Sequence, residues 1–203
     1  VDLKTTAEKK SGAYVLNGKK CFVPMAGKAG HLLVAAALDG KNNLFIVSAD
    51  NPGMTVGDRE TNLGHYSLET HEIALNHCEV PAEDRLGGDG GCDYARVLQK
   101  CRVAMSAMAT GVARAAFDHA RQYAVDRHQF GEPIAFRQSI AFMVAEMAYE
   151  VEAMRFLTWK AASRLEAGRD ARREAYLARL YAGEKAMLIA DYGVQIYGGH
   201  GYI

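Results

Sequence analysis

One short segment of this chain carries groups that suit the binding of a dinucleotide. Arg127, Phe130 and Gly131 lie close together, and Gln138 follows soon after. An arginine fork binds a diphosphate through paired hydrogen bonds, a phenyl ring lies against an adenine, and a glutamine amide both donates and accepts. The segment therefore predicts a dinucleotide site, with an ordinary interhelical loop as the alternative.

A second candidate segment lies near the C-terminus. Gln195 is followed by Gly198, Gly199 and Gly201, where a helical pattern ends. Glycine backbone approaches a phosphate more closely than any other residue does. This segment strengthens the prediction of a dinucleotide site.

The first half of the chain, up to about Gly88, has the pattern of short strands. The Asn-Gly pair at 17–18, the Asp-Gly pair at 39–40 and the Pro-Gly pair at 52–53 predict reversals. The glycines at 87–91 predict a flexible linker. The apolar runs between these signals are residues 14–16, 21–23, 31–38, 43–48, 54–56 and 72–75.

Three long helices are predicted after the linker, at about 93–127, 137–167 and 170–197, because apolar residues recur at spacings of three and four. Short connections predict nearly antiparallel packing, with a fourth helix beyond Ile203. The predicted fold class is α+β, with a β-rich domain of barrel-like or sandwich-like form at 1–88 and an antiparallel helical bundle at 89–203. The residues assigned to buried helix faces are Val97, Leu98, Cys101, Met105, Met108, Val112, Ala116 and Tyr123, then Ile140, Met143, Val144, Met147, Val151, Met154 and Leu157, then Leu177, Leu180, Met187, Leu188 and Val194.

Composition excludes several classes of partner. The 203 residues contain 24 basic and 24 acidic side chains, so no bulk charge attracts nucleic acid or an anionic membrane. No apolar run is long enough to cross a bilayer. The seven histidines show no metal-ligand spacing, and the four cysteines read as reduced, mostly buried thiols of an intracellular protein.

Taken together, these motifs resemble those of the acyl-CoA dehydrogenase family of flavoproteins. The resemblance rests on Arg-x-x-Phe-Gly at 127–131 with Gln138, on Gln-x-x-Gly-Gly at 195–199, and on the segments at 4–7, 14–20 and 80–87. Several ordered motifs are more specific than one glycine-rich match. The resemblance covers nearly the whole chain and implies that the chain is the central piece of a longer protein.

The resemblance implies FAD-dependent oxidation of a saturated acyl-CoA to its 2,3-enoyl form. A glutamate of the family removes the α proton while the β hydride passes to the flavin. The implied contacts to the adenosine and diphosphate end of FAD are Arg127, Phe130, Gln138, Gln195, Gly198 and Gly199. Tyr94, Leu98, Cys101 and Arg102 are the implied substrate-channel residues.

The family also implies partners. FAD is shared across a symmetric interface there, so a homodimer or dimer of dimers is expected. An electron-transfer flavoprotein is the expected acceptor, in the catabolism of fatty acids or amino acids. The expected location is the cytoplasm, or the mitochondrial matrix of a eukaryote.

Two positions depart from the family pattern. Where part of the family has a glutamate before an arginine, this chain has Cys101 before Arg102, and a thiol cannot act as a carboxylate base. The other position of the base would follow Ile203, so no catalytic residue is assigned. At the strand beside the flavin, Phe22 and Val23 fit the pattern, but Pro24 replaces a threonine or serine and offers neither hydroxyl nor N–H.

These departures leave two alternatives. One is a flavin oxidase of the same fold, similar to acyl-CoA oxidases or nitroalkane oxidase, which the altered flavin edge at Pro24 favours. The other is a non-catalytic relative that binds FAD or CoA, which Cys101 and Pro24 together motivate.

Overall fold

The structure is a computed structural model that describes residues 3–64 and 66–203. Its internal contacts divide the chain into two units, Val1–Tyr94 and Ala95–Ile203. The first unit contains the sheet and the second contains the long helices, as the sequence pattern predicts. Among the helices of the described residues, none is both long enough and apolar enough to span a membrane.

The first unit is built on one mixed sheet of six strands. They are β1 (Thr6–Lys10), β2 (Ala13–Pro24), β3 (His31–Leu38), β4 (Lys41–Ser48), β5 (Met54–Arg59) and β6 (Thr70–Pro81). Their order across the sheet is β4-β3-β1-β2-β6-β5. The β1 and β3 strands pair in parallel, and the other neighbours pair antiparallel.

The sheet coils strongly around its own core. Three steps separate β2 from β4 in the strand order, which is roughly 14 Å in a flat sheet. Even so, the rings of Tyr14 on β2 and Phe45 on β4 lie only 5.2 Å apart, and both are fully buried. In the described sheet β4 and β5 are the two edge strands, and β4 adds only an isolated bridge between Phe45 and Arg85. The predicted barrel-like or sandwich-like domain is therefore an open, coiled sheet.

The predicted turns have mixed outcomes. Reversals at 39–40 and 52–53 are confirmed, since they connect β3 to β4 and β4 to β5. The reversal predicted at 17–18 is wrong, because Asn17 and Gly18 lie inside the long β2 strand. The ladder to β6 shifts register there, and the Asn17 side-chain oxygen accepts a hydrogen bond from the His77 amide at 2.8 Å. The Asn-Gly pair therefore forms a β-bulge within the strand instead of a turn.

The glycine-rich segment after the sheet is held in place rather than free. Residues Gly88–Gly90 form a 3-10 turn, and the Arg85 guanidinium donates to the Asp89 carbonyl at 3.2 Å. The same guanidinium donates to Asn43 at 2.8 Å and lies 5.6 Å from the centre of the Tyr14 ring. The segment therefore makes several contacts with the first unit, and the flexible joint stays a prediction.

The second unit contains three long helices, α1 (Tyr94–Asp126), α2 (Gln138–Glu166) and α3 (Arg172–Tyr197), followed by the short α4 (Gly199–Tyr202). The bounds of the three long helices agree with the prediction to within two residues. One side chain joins all three long helices, because Ser106 lies 2.6 Å from the Thr158 hydroxyl on α2 and donates to the Ala178 carbonyl on α3 at 3.1 Å.

The α1 and α3 helices run in the same direction, with α2 antiparallel to both. Near their starts, the Ala171 amide donates to Gln99 at 2.9 Å, and near their ends the rings of Tyr123 and Tyr197 stack at 4.2 Å. The antiparallel prediction is therefore correct for each consecutive pair of helices. Consequently α1 and α3 end on the same side of the unit.

The buried faces of α1 and α3 are not the predicted ones. Met105, Met108 and Val112 are more than half exposed on α1, as is Met187 on α3. The faces that are buried consist mainly of small or polar residues: Gln99, Ser106, Thr110, Ala113, Ala120 and Ala124 on α1, and Ala175, Ala178, Ala182, Ile189, Gly193 and Ile196 on α3. Only α2 buries the centre of its predicted stripe, at Met147, Val151 and Met154.

A buried carboxylate connects α2 to α3. Glu150 is only 4% exposed, accepts a hydrogen bond from the Tyr181 hydroxyl and forms an ion pair with Lys185. The hydrogen bond to Glu150 raises the pKa of Tyr181, and a hydrogen bond to the same carboxylate raises the pKa of Lys185.

The pH dependence of stability tests this cluster. In the folded protein the pKa values of Tyr181 and Lys185 lie above their ordinary values of 10.0 and 10.5. The contacts with Glu150 therefore stabilise the fold fully below pH 10.0, and this stabilisation is lost as pH rises through the folded-state pKa values. We expect the thermal midpoint of Tyr181→Phe to decline less steeply above that pH than the wild-type midpoint. The exposed Tyr202 provides the control, Tyr202→Phe, which retains the wild-type decline. Equal slopes for Tyr181→Phe and wild type would contradict the assignment.

Candidate functional site

The two motif segments of the second unit line one cleft. It lies where α1 and α3 end and has a volume of about 510 Å³. Arg127, Gly198 and Gly199 all line it, as the sequence predicts for a shared diphosphate site. The other lining residues are Tyr123, Gln129, Ile134, Ile196, Tyr197, His200 and Ile203.

A tight hairpin follows Arg127 and projects the Phe130 ring. The two-residue strands β7 (His128–Gln129) and β8 (Glu132–Pro133) pair across Phe130 and Gly131, which have φ values of 56° and 86°. Two positive φ values are typical of a type I′ hairpin turn. Phenylalanine rarely adopts this conformation, and Phe130 is 93% exposed, with the Arg137 guanidinium 5.6 Å from the centre of its ring.

The glycines of the C-terminal segment, residues 195–201, have separate roles. Gly198 ends α3 with φ 58° and ψ −127°, a conformation that is essentially restricted to glycine. A Cβ atom on Gly201 would lie 2.4 Å from the Val194 carbonyl oxygen, so Gly201 allows α4 to pack closely on α3. Gly199 has ordinary φ and open space around it. Its backbone is therefore free to meet a ligand.

Stacked aromatic rings form one wall of the cleft. Tyr123 stacks on Tyr197 with an interplanar angle of 13°, and the His200 ring meets Tyr123 edge-on at 6.3 Å. Neither tyrosine was a predicted site residue. The sequence alone does not reveal that the two tyrosines meet. Each lies at or near the end of its helix, so the rings come together only because α1 and α3 run in the same direction.

The electrostatics of this cleft make Arg127 important. The C-terminal end of a helix carries partial negative charge, and two such ends meet here. The last turns of α1 and α3 contain no basic residue to offset this charge. An anionic ligand therefore depends on the Arg127 guanidinium that follows α1, since Arg137 nearby is already 3.0 Å from the Glu132 carboxylate.

Three other predicted cofactor residues lie outside the lining of this cleft. Phe130, Gln138 and Gln195 are all exposed. Gln138 begins α2, and the Gln195 carbonyl accepts a hydrogen bond from the Gly198 amide at 3.1 Å. Their exposed side chains are available to a ligand that extends beyond the cleft.

The first unit has a cavity of its own, with a volume of about 550 Å³. Phe22, Val23 and Pro24 line it together with Tyr94, so three predicted flavin-strand residues and one predicted substrate residue meet there. Sequence reasoning missed the remaining lining residues, which are Leu3, Lys20, Cys21, Ala29, His31, Leu32, Leu33, Val34, Ala35 and Ile73.

A bulge at the end of β2 presents the Phe22 ring. The register shifts between Lys20 and Val23, and Phe22 has φ 53° with a ring that is 68% exposed. The Glu60 carboxylate accepts the Phe22 N–H at 3.2 Å and so stabilises this left-handed residue. Met25 is also left-handed, with φ 56°, and donates its N–H to the Glu69 carbonyl at 2.8 Å.

The other predicted substrate residues belong to α1 in the second unit. Leu98 is partly buried, and Cys101 is exposed. The Arg102 guanidinium lies 5.4 Å from the centre of the Tyr176 ring on α3, which gives it a packing role between helices. Cys21 is exposed as well, so the prediction of mostly buried thiols is wrong for two of the four.

No group of three His, Cys, Asp or Glu side chains in the described part of the chain is arranged to hold a metal ion.

Paired substitutions test the backbone at the cleft. Gly198→Ala places a Cβ on a backbone of φ 58°, and we expect it to cost about 1–3 kcal/mol of unfolding free energy. Gly199→Ala adds the same methyl in open space and serves as the control, with an expected change within about 0.5 kcal/mol. Chemical denaturation measures both. Equal losses for the two variants would show that the Gly198 conformation is not required.

Known protein families and proteins match this chain along most of its length. Sequence models of the acyl-CoA dehydrogenase middle domain and C-terminal domain match residues 1–78 and 89–203. The acyl-CoA dehydrogenase of Bacillus subtilis is 41% identical over 99% of this chain and 55% of its own length. The caffeyl-CoA reductase-Etf complex subunit CarC of Acetobacterium woodii is 36% identical over 99% of this chain and 55% of its own length.

A solved structure shows the same relationship. Butyryl-CoA dehydrogenase from Megasphaera elsdenii superposes with a TM-score of 0.87 at 36% identity, over 98% of this chain and 54% of that one. The chain thus spans about half the length of the curated relatives it matches. With both domain models matched in order, this chain belongs to the acyl-CoA dehydrogenase family.

Proposed function

We propose that this chain contributes the flavin-facing sheet and the helical nucleotide cleft of an FAD-dependent enzyme that oxidises a saturated acyl-CoA to the 2,3-enoyl-CoA. The observation that carries the proposal is the meeting of Arg127 with the turn at Gly198 and Gly199 in one cleft. Bound FAD supplies the ring that accepts a hydride from the acyl β carbon. The residues of this chain bind and orient the ligands.

In the second unit, Arg127 binds the FAD diphosphate and offsets the negative ends of two helices. The Gly199 backbone lies beside it, and the exposed Phe130 ring packs on the adenosine. Gln138 and Gln195 supply amide contacts outside the cleft. In the proposed homodimer or dimer of dimers, these residues serve an FAD held mainly by the neighbouring subunit.

In the first unit, the Phe22 ring and Val23 form the surface on which the flavin ring lies. Pro24 offers no hydrogen bond donor at this surface. Tyr94 lines the same cavity and contacts the acyl chain. In the second unit, Leu98 and Cys101 on α1 are the proposed substrate contacts. Because Cys101 before Arg102 is a thiol, no residue of this chain is assigned as the carboxylate base that removes the α proton.

An electron-transfer flavoprotein is the proposed electron acceptor. The relative from Acetobacterium woodii is named as a subunit of a reductase-Etf complex, which supports this partner. The proposed compartment is the cytoplasm or the mitochondrial matrix.

A flavin oxidase is the second candidate, because Pro24 removes a donor from the flavin-facing strand. Oxygen would replace the electron-transfer flavoprotein as acceptor in that case.

Cofactor binding is the first test. In the full-length protein, we expect Arg127→Met to weaken FAD binding at least about tenfold, since a charge-assisted hydrogen bond is lost. Arg121→Met removes the same charge from an exposed position on α1 and is the matched control. Titration of the apoprotein with FAD measures both. Unchanged FAD affinity in Arg127→Met would overturn the role of the cleft.

Substrate reduction of the flavin is the second test. Anaerobic addition of a saturated acyl-CoA to the full-length holoprotein is expected to bleach the flavin band and yield the 2,3-enoyl-CoA. In air without another acceptor, the dehydrogenase consumes little oxygen, whereas the oxidase consumes one O₂ for each substrate oxidised. A flavin that stays oxidised with all saturated acyl-CoAs tested anaerobically would reject both the dehydrogenase and an acyl-CoA oxidase.

A further inference from the structure

Two adjacent lysines on β2 have opposite environments. Lys19 pairs across the ladder with Ala74, and its ammonium lies 2.8 Å from the Glu72 carboxylate on the exposed face. Lys20 pairs with Ile73 and, like Ile73, lines the cavity of the first unit. Successive residues of a strand point to opposite faces, which explains the difference.

The cavity surrounds the Lys20 side chain mainly with apolar groups. Val23, Leu32, Val34 and Ile73 contribute to its walls, and Lys20 is partly buried among them. Within residues 3–64 and 66–203, no carboxylate forms an ion pair with Lys20. Burial lowers the pKa of the Lys20 ammonium. A partly desolvated cation without an anion is unfavourable, so an anionic ligand group in this cavity gains free energy from it.

We propose that Lys20 binds a phosphate oxygen of the nucleotide ligand that enters this cavity. Lysine is a common phosphate ligand because its ammonium is a compact point charge with three donors. The inference rests on the proposed function, in which both FAD and the acyl-CoA carry phosphates. Lys20 lies on the same strand as Phe22, Val23 and Pro24, so it is positioned beside the proposed flavin surface.

The neighbouring lysine provides the matched control. Lys20→Met and Lys19→Met each remove one charge from adjacent positions of the same strand, and Lys20→Arg keeps the charge. Each variant is made in the full-length protein, and its thermal midpoint is recorded to verify folding. One arm titrates the apoprotein with FAD, and the other titrates the holoprotein with an acyl-CoA and with the matching acyl-pantetheine, which lacks phosphate.

The two arms identify the source of the phosphate. Weakening of FAD binding by about tenfold in Lys20→Met, with rescue by Lys20→Arg, assigns the contact to the cofactor. Weakening of acyl-CoA binding without weakening of acyl-pantetheine binding assigns it to the substrate. Either loss is expected to shrink at high salt, because screening weakens the wild-type contact.

Three results would overturn the proposal. They are affinities in Lys20→Met equal to those in Lys19→Met, equal weakening of acyl-CoA and acyl-pantetheine with unchanged FAD binding, and failure of Lys20→Arg to restore the affinity lost by a folded Lys20→Met. Failure of the wild-type protein to bind either nucleotide would instead reject the proposed function itself.

Discussion

The close, parallel approach of α1 and α3 is the constraint on which the nucleotide cleft depends. Ser106 of α1 donates directly to the Ala178 carbonyl of α3, and a Cβ atom on Gly193 would lie 3.9 Å from the Cβ of Ala116. Such distances require small side chains on both facing surfaces. Because the helices run in the same direction, the segments that follow them emerge side by side, and Arg127 meets the glycine turn there.

The existence and bounds of the helices follow from the sequence, but two of their buried faces do not. Periodicity identifies the side with the larger apolar residues, which for α2 is the buried side. In α1 the buried side carries Gln99, Ser106 and Thr110, while Met108 is 72% exposed. Alanine suits a close helix contact and an exposed surface equally well, so its spacing alone does not reveal which helix it faces.

The candidate site shows the same division between local and tertiary information. Arg127 and Gly198 belong to local motifs that the sequence displays directly, whereas the stack of Tyr123 on Tyr197 depends on how two distant helices pair. In the sheet, the Asn-Gly pair at 17–18 has the chemistry of a reversal, but a long ladder with β6 makes a bulge more favourable. Local turn chemistry gives way when many ladder hydrogen bonds compete with it.

The contact of small side chains between α1 and α3 also determines which substitutions the protein tolerates. Ala116 faces Gly193 of α3 and lies 11 residues before Arg127, roughly 16 Å along the helix axis. A larger side chain there would wedge the two helices apart, and their rigidity would carry the displacement to the far end. Seemingly mild replacements of inconspicuous alanines would therefore impair ligand affinity at long range, while the ligand-contacting side chains themselves stayed intact.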